Sequence, residues 1–255
     1  MGAYWQVHAQ YRLGAVLWIV NGFVTPLILM IIWLVVNQSQ PLTLSSTEIV
    51  TYYLMSIIVV RLTQTWLAED LINLIKDGRL SFFLIRPFSV VHDLLAKDQA
   101  LRLVRLISLL PFVLIFLSLF SSAFQLILTP TRLGLFFSAL ILGYCLNFCL
   151  QMIVGISTFW LEDAYGTFML LILITDILSG LLIPLRLMPA WLANLSLLLP
   201  FYALVGFPVD LLTGTIDPRL ILPYLFVTVF WLIVMFVGVK LIYSQALKKY
   251  TAVGI

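Results

Sequence analysis

Six apolar stretches, 13–36, 49–75, 103–124, 133–160, 167–185 and 220–243, dominate this 255-residue chain. A helix that crosses a bilayer needs about 20 mostly apolar residues, and each stretch meets that length. Hydrophobic residues make up 63% of the chain, charged residues 10%, and the mean hydropathy is +1.13. A soluble domain carries about 25% charged residues, so a soluble fold of this chain would be as oily outside as inside. The reading is an all-α, polytopic membrane protein with six transmembrane helices in a single domain over 1–255. Cys145 and Cys149 lie inside the fourth stretch. They imply no disulfide framework, and without His or carboxylate neighbours they make a poor metal site.

Charge sets the expected topology. With the N-terminus inside, the inner segments hold ten basic residues: Arg12, Lys76, Arg79, Arg86, Lys97, Arg102, Arg105, Lys240, Lys248 and Lys249. The outer segments hold three, Arg132, Arg186 and Arg219, and Arg61 lies within the second stretch. Basic residues concentrate in cytoplasmic loops, so both termini are expected in the cytoplasm. The net charge of +3 is ordinary for such loops and does not point to nucleic acid. Residues 1–12, with Tyr4, Trp5, His8, Tyr11 and Arg12, read as an interfacial amphipathic helix. The run after them is too long for a signal h-region, so no cleaved leader is expected. Between the fifth and sixth stretches, the extracytoplasmic segment 186–219 is apolar but interrupted by Pro189, Pro200 and Pro208. Proline at that density excludes one straight span and predicts short re-entrant or interfacial helices.

The cytoplasmic segment 76–102 is the polar exception, opening on KDGRLSFFLIRPFS. Gly78 permits a turn after the second stretch. A short helix over 79–85 is then expected to present Leu80, Phe82, Phe83 and Leu84 before Arg86-Pro87 stops it. A charged amphipathic helix follows from Val90 into the third stretch. Exposed aromatics on a braced short helix suit docking into a groove on a cytoplasmic partner. The competing reading is a polybasic loop that obeys topology and touches anionic lipid, a task that requires neither a Phe pair nor a proline.

Three motifs carry a family likeness. The first is Ile75, Gly78, Leu84, Arg86 and Pro87 after span two. The second is Phe159-Trp160 with Ser179, Gly180, Pro184, Leu185 and Pro189, and the third is Pro200, Phe201, Pro208 and Gly214. In order and topology they resemble the permease subunits of type 2 ABC transporters, the ABC-2 family, over most of 50–243. The resemblance implies a second permease half, identical or homologous, and separate ATP-binding cassette subunits that carry ATP and magnesium. It also implies that Gly78, Arg79, Leu80, Phe82, Phe83, Leu84, Arg86 and Pro87 form the helix that couples to the ATPase. Bacterial inner-membrane location and export of an amphipathic, lipid-like or xenobiotic compound follow from the same likeness. In agreement, no G-x-x-x-x-G-K-[ST] phosphate loop occurs, so the chain itself is expected to be a transport subunit and no enzyme, binding no cofactor.

Polar residues within the spans have two readings each. Arg61 and Asp176, opposite in charge, are expected to pair across the bundle as a gate or substrate contact, or as a structural ion pair. Tyr144, Asn147, Gln151 and Thr158 recur on one face of the fourth span. They either line a translocation route or bind helices together. Glu162-Asp163 read as a solvated cap near the next helix. Two other function classes fit these residues less well. An intramembrane serine protease would need a base for Ser157, yet the only histidines, His8 and His92, fall outside the spans. A stand-alone secondary transporter or channel usually shows internal repeats, and none is visible.

Overall fold

A computed structural model describes residues 12–84, 90–119, 124–161 and 164–249, and among these every regular element is helical. The chain runs through α1 (Arg12–Ser39), α2 (Ser46–Thr63), α3 (Leu67–Lys76), α4 (Leu80–Leu84), α5 (Val90–Leu119) and α6 (Pro130–Ser157). It continues through α7 (Ala164–Leu178), α8 (Ala190–Leu198), α9 (Gly206–Thr213) and α10 (Pro218–Lys249). Short 3₁₀ turns at Leu185–Leu187 and Pro200–Leu204 join α7, α8 and α9.

Local signals account for many boundaries. Ser45 accepts from the Glu48 amide while the Glu48 carboxylate accepts from the Ser45 amide, a reciprocal capping box at the start of α2. Thr129 caps α6, whose first residue is Pro130, where a missing N–H is harmless. The prolines of 186–219 fall at or near helix starts, and the segment is a set of short helices as expected.

The packing is inverted relative to a soluble protein. Ile28, Ile31, Ile32 and Val35 on α1, and Leu222, Phe226, Phe230 and Ile233 on α10, are exposed, whereas Asp98, Arg102, Asn147, Gln151 and Asp210 are buried. This is the arrangement of a membrane protein, whose outer solvent is acyl chain. Helix α6 sits at the centre, touching α2, α3, α7, α9 and α10. Tyr202, Phe207 and Tyr224 interlock beside it, with ring centroids 4.7–6.2 Å apart. Gly206 lies where this aromatic knot meets the end of α7. A Cβ there would stand 2.3 Å from Tyr202 Cε2 and 2.7 Å from the Ser179 carbonyl oxygen. Because Tyr202 is fully buried, neither neighbour has room to yield. Gly206→Val is expected to destabilise the protein by about 3 kcal/mol, the upper end of overpacking costs, measured as a fall in thermal unfolding temperature in detergent.

Several expected limits are corrected. The second stretch is two helices, broken at Gln64–Trp66. The charged helix from Val90 runs into the third stretch as expected, one continuous element. The fifth ends at Leu178, where the chain turns through Ser179 and Gly180. Asp176 therefore stands in a last turn rather than mid-helix. Among the described residues, three helical segments are long and apolar enough to cross a bilayer on those criteria: Gly22–Ser39, α6 and α10. The shorter α7 has 15 residues. Tyr4, Trp5, His8, Tyr11, Arg86, Pro87, Glu162 and Asp163 lie outside the described residues.

Candidate functional site: the α4 platform and the break above it

The segment after α3 begins with Asp77 as its C-cap and Gly78 in the left-handed region at φ 69, a conformation costly for any residue with a Cβ. The expected turn is present. Ser81 then donates to the Gly78 carbonyl at 2.8 Å, fastening the start of α4. Helical spacing sets Leu80 and Phe83 of α4 on a different face from Phe82, and the Leu84 side chain lies outside the described ones. Leu80 is fully buried among Leu67, Leu71, Val90, Leu94, Met152 and Ile156, with Phe83 packed against the same cluster. Phe82 is 60% exposed. The expectation that Leu80 and Phe83 are presented together with Phe82 is thus corrected: i and i+3 share the inward face, and one aromatic ring points out. Arg79 pairs with Asp77 at 2.7 Å on the surface.

Beyond α4 the charges of α5 form a network, half-buried at Lys97 and buried at Asp98, Arg102 and Arg105. Lys97 donates to Asp70 on α3 at 2.6 Å. Asp98 accepts from Arg102 at 2.8 Å and lies 3.7 Å from Arg105. The Arg102 guanidinium covers the Tyr144 ring at 3.7 Å, and Arg105 donates to the Gln64 carbonyl at 3.3 Å. Asp98, Arg102 and Arg105 are spaced four and three apart, one face of one helix. That spacing was available in the sequence as a signal for a shared network.

The network ends at the break between α2 and α3. A helix interrupted at depth leaves backbone groups to be satisfied by something else. Here the Thr63 carbonyl accepts from Asn147 at 3.0 Å, and the Ala68 amide donates to Gln151 at 3.1 Å. The Thr63 hydroxyl donates to the Leu204 carbonyl at 2.8 Å. The polar stripe of α6 is therefore committed: Tyr144 under Arg102, Asn147 and Gln151 on the break. Thr158 bonds its own helix at the Gly155 carbonyl. Replacing Asn147 with Leu strands the buried Thr63 carbonyl. The expected loss is about 1–3 kcal/mol, read from chemical or thermal unfolding in micelles, with Gln151→Leu behaving alike at the Ala68 amide.

Arg61 and Asp176 are not brought together. The Arg61 guanidinium lies against Gly22 of α1, so close that a Cβ there would overlap it, and it faces the like charge of Arg105. Asp176 is half-buried on α7, and its carboxylate makes no hydrogen bond or ion pair among the described residues. Sequence reasoning also missed Asp210, buried in α9 and bonded by the Tyr202 and Thr215 hydroxyls. Burial pushes its carboxyl up to about 6, against the opposing pull of those two bonds and of Arg186. Eight residues and a helix break separate Tyr202 from Asp210, so no periodicity announces the pair. At the N-terminal end of α2, far from the break, a cavity of about 660 Å³ opens beside Glu48, Thr51, Gln125 and Thr213.

A family model described as "ABC-2 family transporter protein" matches residues 20–254. No curated protein and no solved structure matches the chain.

Proposed function

The chain belongs to the ABC-2 family of transporter proteins, and from that premise we propose that it is the permease subunit of an ATP-driven exporter. In this reading six elements, α1, α2 with α3, α5, α6, α7 and α10, cross the inner membrane. Both termini and α4 face the cytoplasm, and 186–219 faces outward. A separate ATP-binding subunit docks on α4, and a second permease half completes the route. The cargo is an amphipathic or hydrophobic small molecule.

The observation that carries the reading is the seating of α4. Its inner face is locked into the core by Leu80 and Phe83, and its outer face holds out Phe82. A rigid short helix with one exposed ring suits a groove on a partner. Force arriving there has a connected route: α4 packs on α5, α5 is tied to α3 by Lys97–Asp70, and Arg105 holds the break. Physical contiguity permits coupling and does not by itself measure it, so the test is biochemical. Co-expressed with an ATP-binding cassette subunit from the same genome, tagged permease is expected to retain that subunit and its ATPase activity through purification. A chain that purifies alone and still moves its cargo without ATP would overturn the proposal in favour of a secondary transporter.

A further inference from the structure

Asp176 is unexplained by the chain that holds it. In α7, AYGTFMLLILITDIL, it is the sole Asp, Glu, Lys, Arg or His, and it occupies the last turn, where helix carbonyls already concentrate partial negative charge. It stands 12 residues beyond Ala164, which is about 18 Å of helix rise. If α7 enters at the cytoplasmic face, as the proposed function has it, that depth lies inside a hydrocarbon layer about 30 Å thick. Desolvation and dipole both oppose a carboxylate there, and no described residue donates to it. Two of the three basic residues of the outward end are engaged elsewhere: Arg132 donates to the Leu211 carbonyl, and Arg186 lies 3.9 Å from Glu48. An intramembrane carboxylate held without a structural partner marks a ligand or transport site.

Its surroundings indicate the ligand's shape. Tyr165, Met169 and Leu173, spaced four and four apart, are 45%, 38% and 54% exposed, and Asp176 follows three residues later on the same face. Tyr165 is steadied by an edge-on contact with Phe168 at 5.9 Å. The face thus reads ring, thioether, branched alkyl, carboxylate. Acyl chains would cover the first three residues well and the fourth badly, so a face of pure lipid contact does not account for it. A molecule with an apolar, partly aromatic body and a positive end complements all four.

We propose that the α7 face Tyr165–Met169–Leu173–Asp176 recognises an amphipathic organic cation, so that the cargo of this permease carries positive charge. This rests on the permease reading above and names its substrate class.

The test uses the complete permease–ATPase complex in phosphatidylcholine nanodiscs, with labelled tetraphenylphosphonium and rhodamine 6G as probes. Tetraphenylborate, of similar shape and opposite charge, is the control. Saturable binding of at least one cation is expected, weakened at least tenfold by Asp176→Asn and retained by Asp176→Glu, with no saturable tetraphenylborate binding. Cation binding that is equal in wild type and Asp176→Asn, or absent in wild type, overturns the proposal. So does loss of binding accompanied by separation of the complex into single permease chains, which would assign Asp176 to a contact between copies. Retention of the ATP-binding subunit throughout isolates such a failure from the permease reading, which fails only if that subunit never associates.

Discussion

Phe82→Asp is expected to release the ATP-binding subunit while leaving the permease folded. The side chain is 60% exposed, so its removal opens no cavity, and a charge at that position stays in water when the chain is alone. In the complex the same charge would occupy the groove built for a ring. Truncating an aromatic anchor at the centre of an interface costs about 2 kcal/mol or more, which is roughly 30-fold in affinity, and an unpaired buried charge adds to it. Pull-down of the ATPase through tagged permease should fall to background while the size-exclusion profile of the permease is unchanged. Full recovery of the ATPase with Phe82→Asp would remove α4 as the docking element. Phe83→Asp is not an equivalent probe. Phe83 packs into the cluster around Leu71 and Met152, so its replacement damages the fold first and confounds any reading of binding.

Asp98→Ala is expected to produce the largest loss of stability of any charge substitution in the half of the molecule that holds α4. The Asp98 side chain is 7% exposed and neutralises two guanidiniums that are themselves 11% and 9% exposed. Its removal takes away the carboxylate that pairs with Arg102 and lies 3.7 Å from Arg105, with Arg61 a further like charge facing Arg105. Breaking a buried pair in this way costs about 3–5 kcal/mol. The double variant Asp98→Ala/Arg102→Met should recover part of the loss, because one stranded charge leaves with its partner. By contrast, Arg79→Ala removes a surface pair in which both side chains are more than half exposed, and such pairs contribute about 0–1 kcal/mol. Unfolding midpoints of the four proteins in one detergent decide the matter. If Asp98→Ala is no worse than Arg79→Ala, the network has no structural role.

The same contrast separates what was legible in the residues from what was not. The turn at Gly78 was visible because a single residue type relieves a local steric cost. The short helices of 186–219 were visible because proline acts on its own backbone, whatever surrounds it. The opposite held at the break between α2 and α3. Its residues, Gln64, Thr65 and Trp66, include neither glycine nor proline, and the apolar run passes through without a mark. What stabilises the break there are partners 41 to 84 residues away: Arg105, Asn147 and Gln151. The Asn147–Gln151 stripe was plain as a pattern, yet its bonds depended on which backbone groups α6 would meet. Similarly, the Phe82-Phe83 pair was evident, but which ring is buried followed from the direction α4 takes over Leu71 and Ile156.

From the residues alone came the all-helical membrane class, the family and the turn at Gly78 that opens the charged segment. These depend on apolar run length, on local backbone preferences and on motif order, each a property of neighbours in the chain. Tertiary packing decided where helices stop, which side chain of α4 is offered to a partner, and that Arg61 and Asp176 remain apart. Those outcomes are set by backbone groups and charges that must be satisfied by distant residues once water is excluded, and local sequence does not encode that pairing.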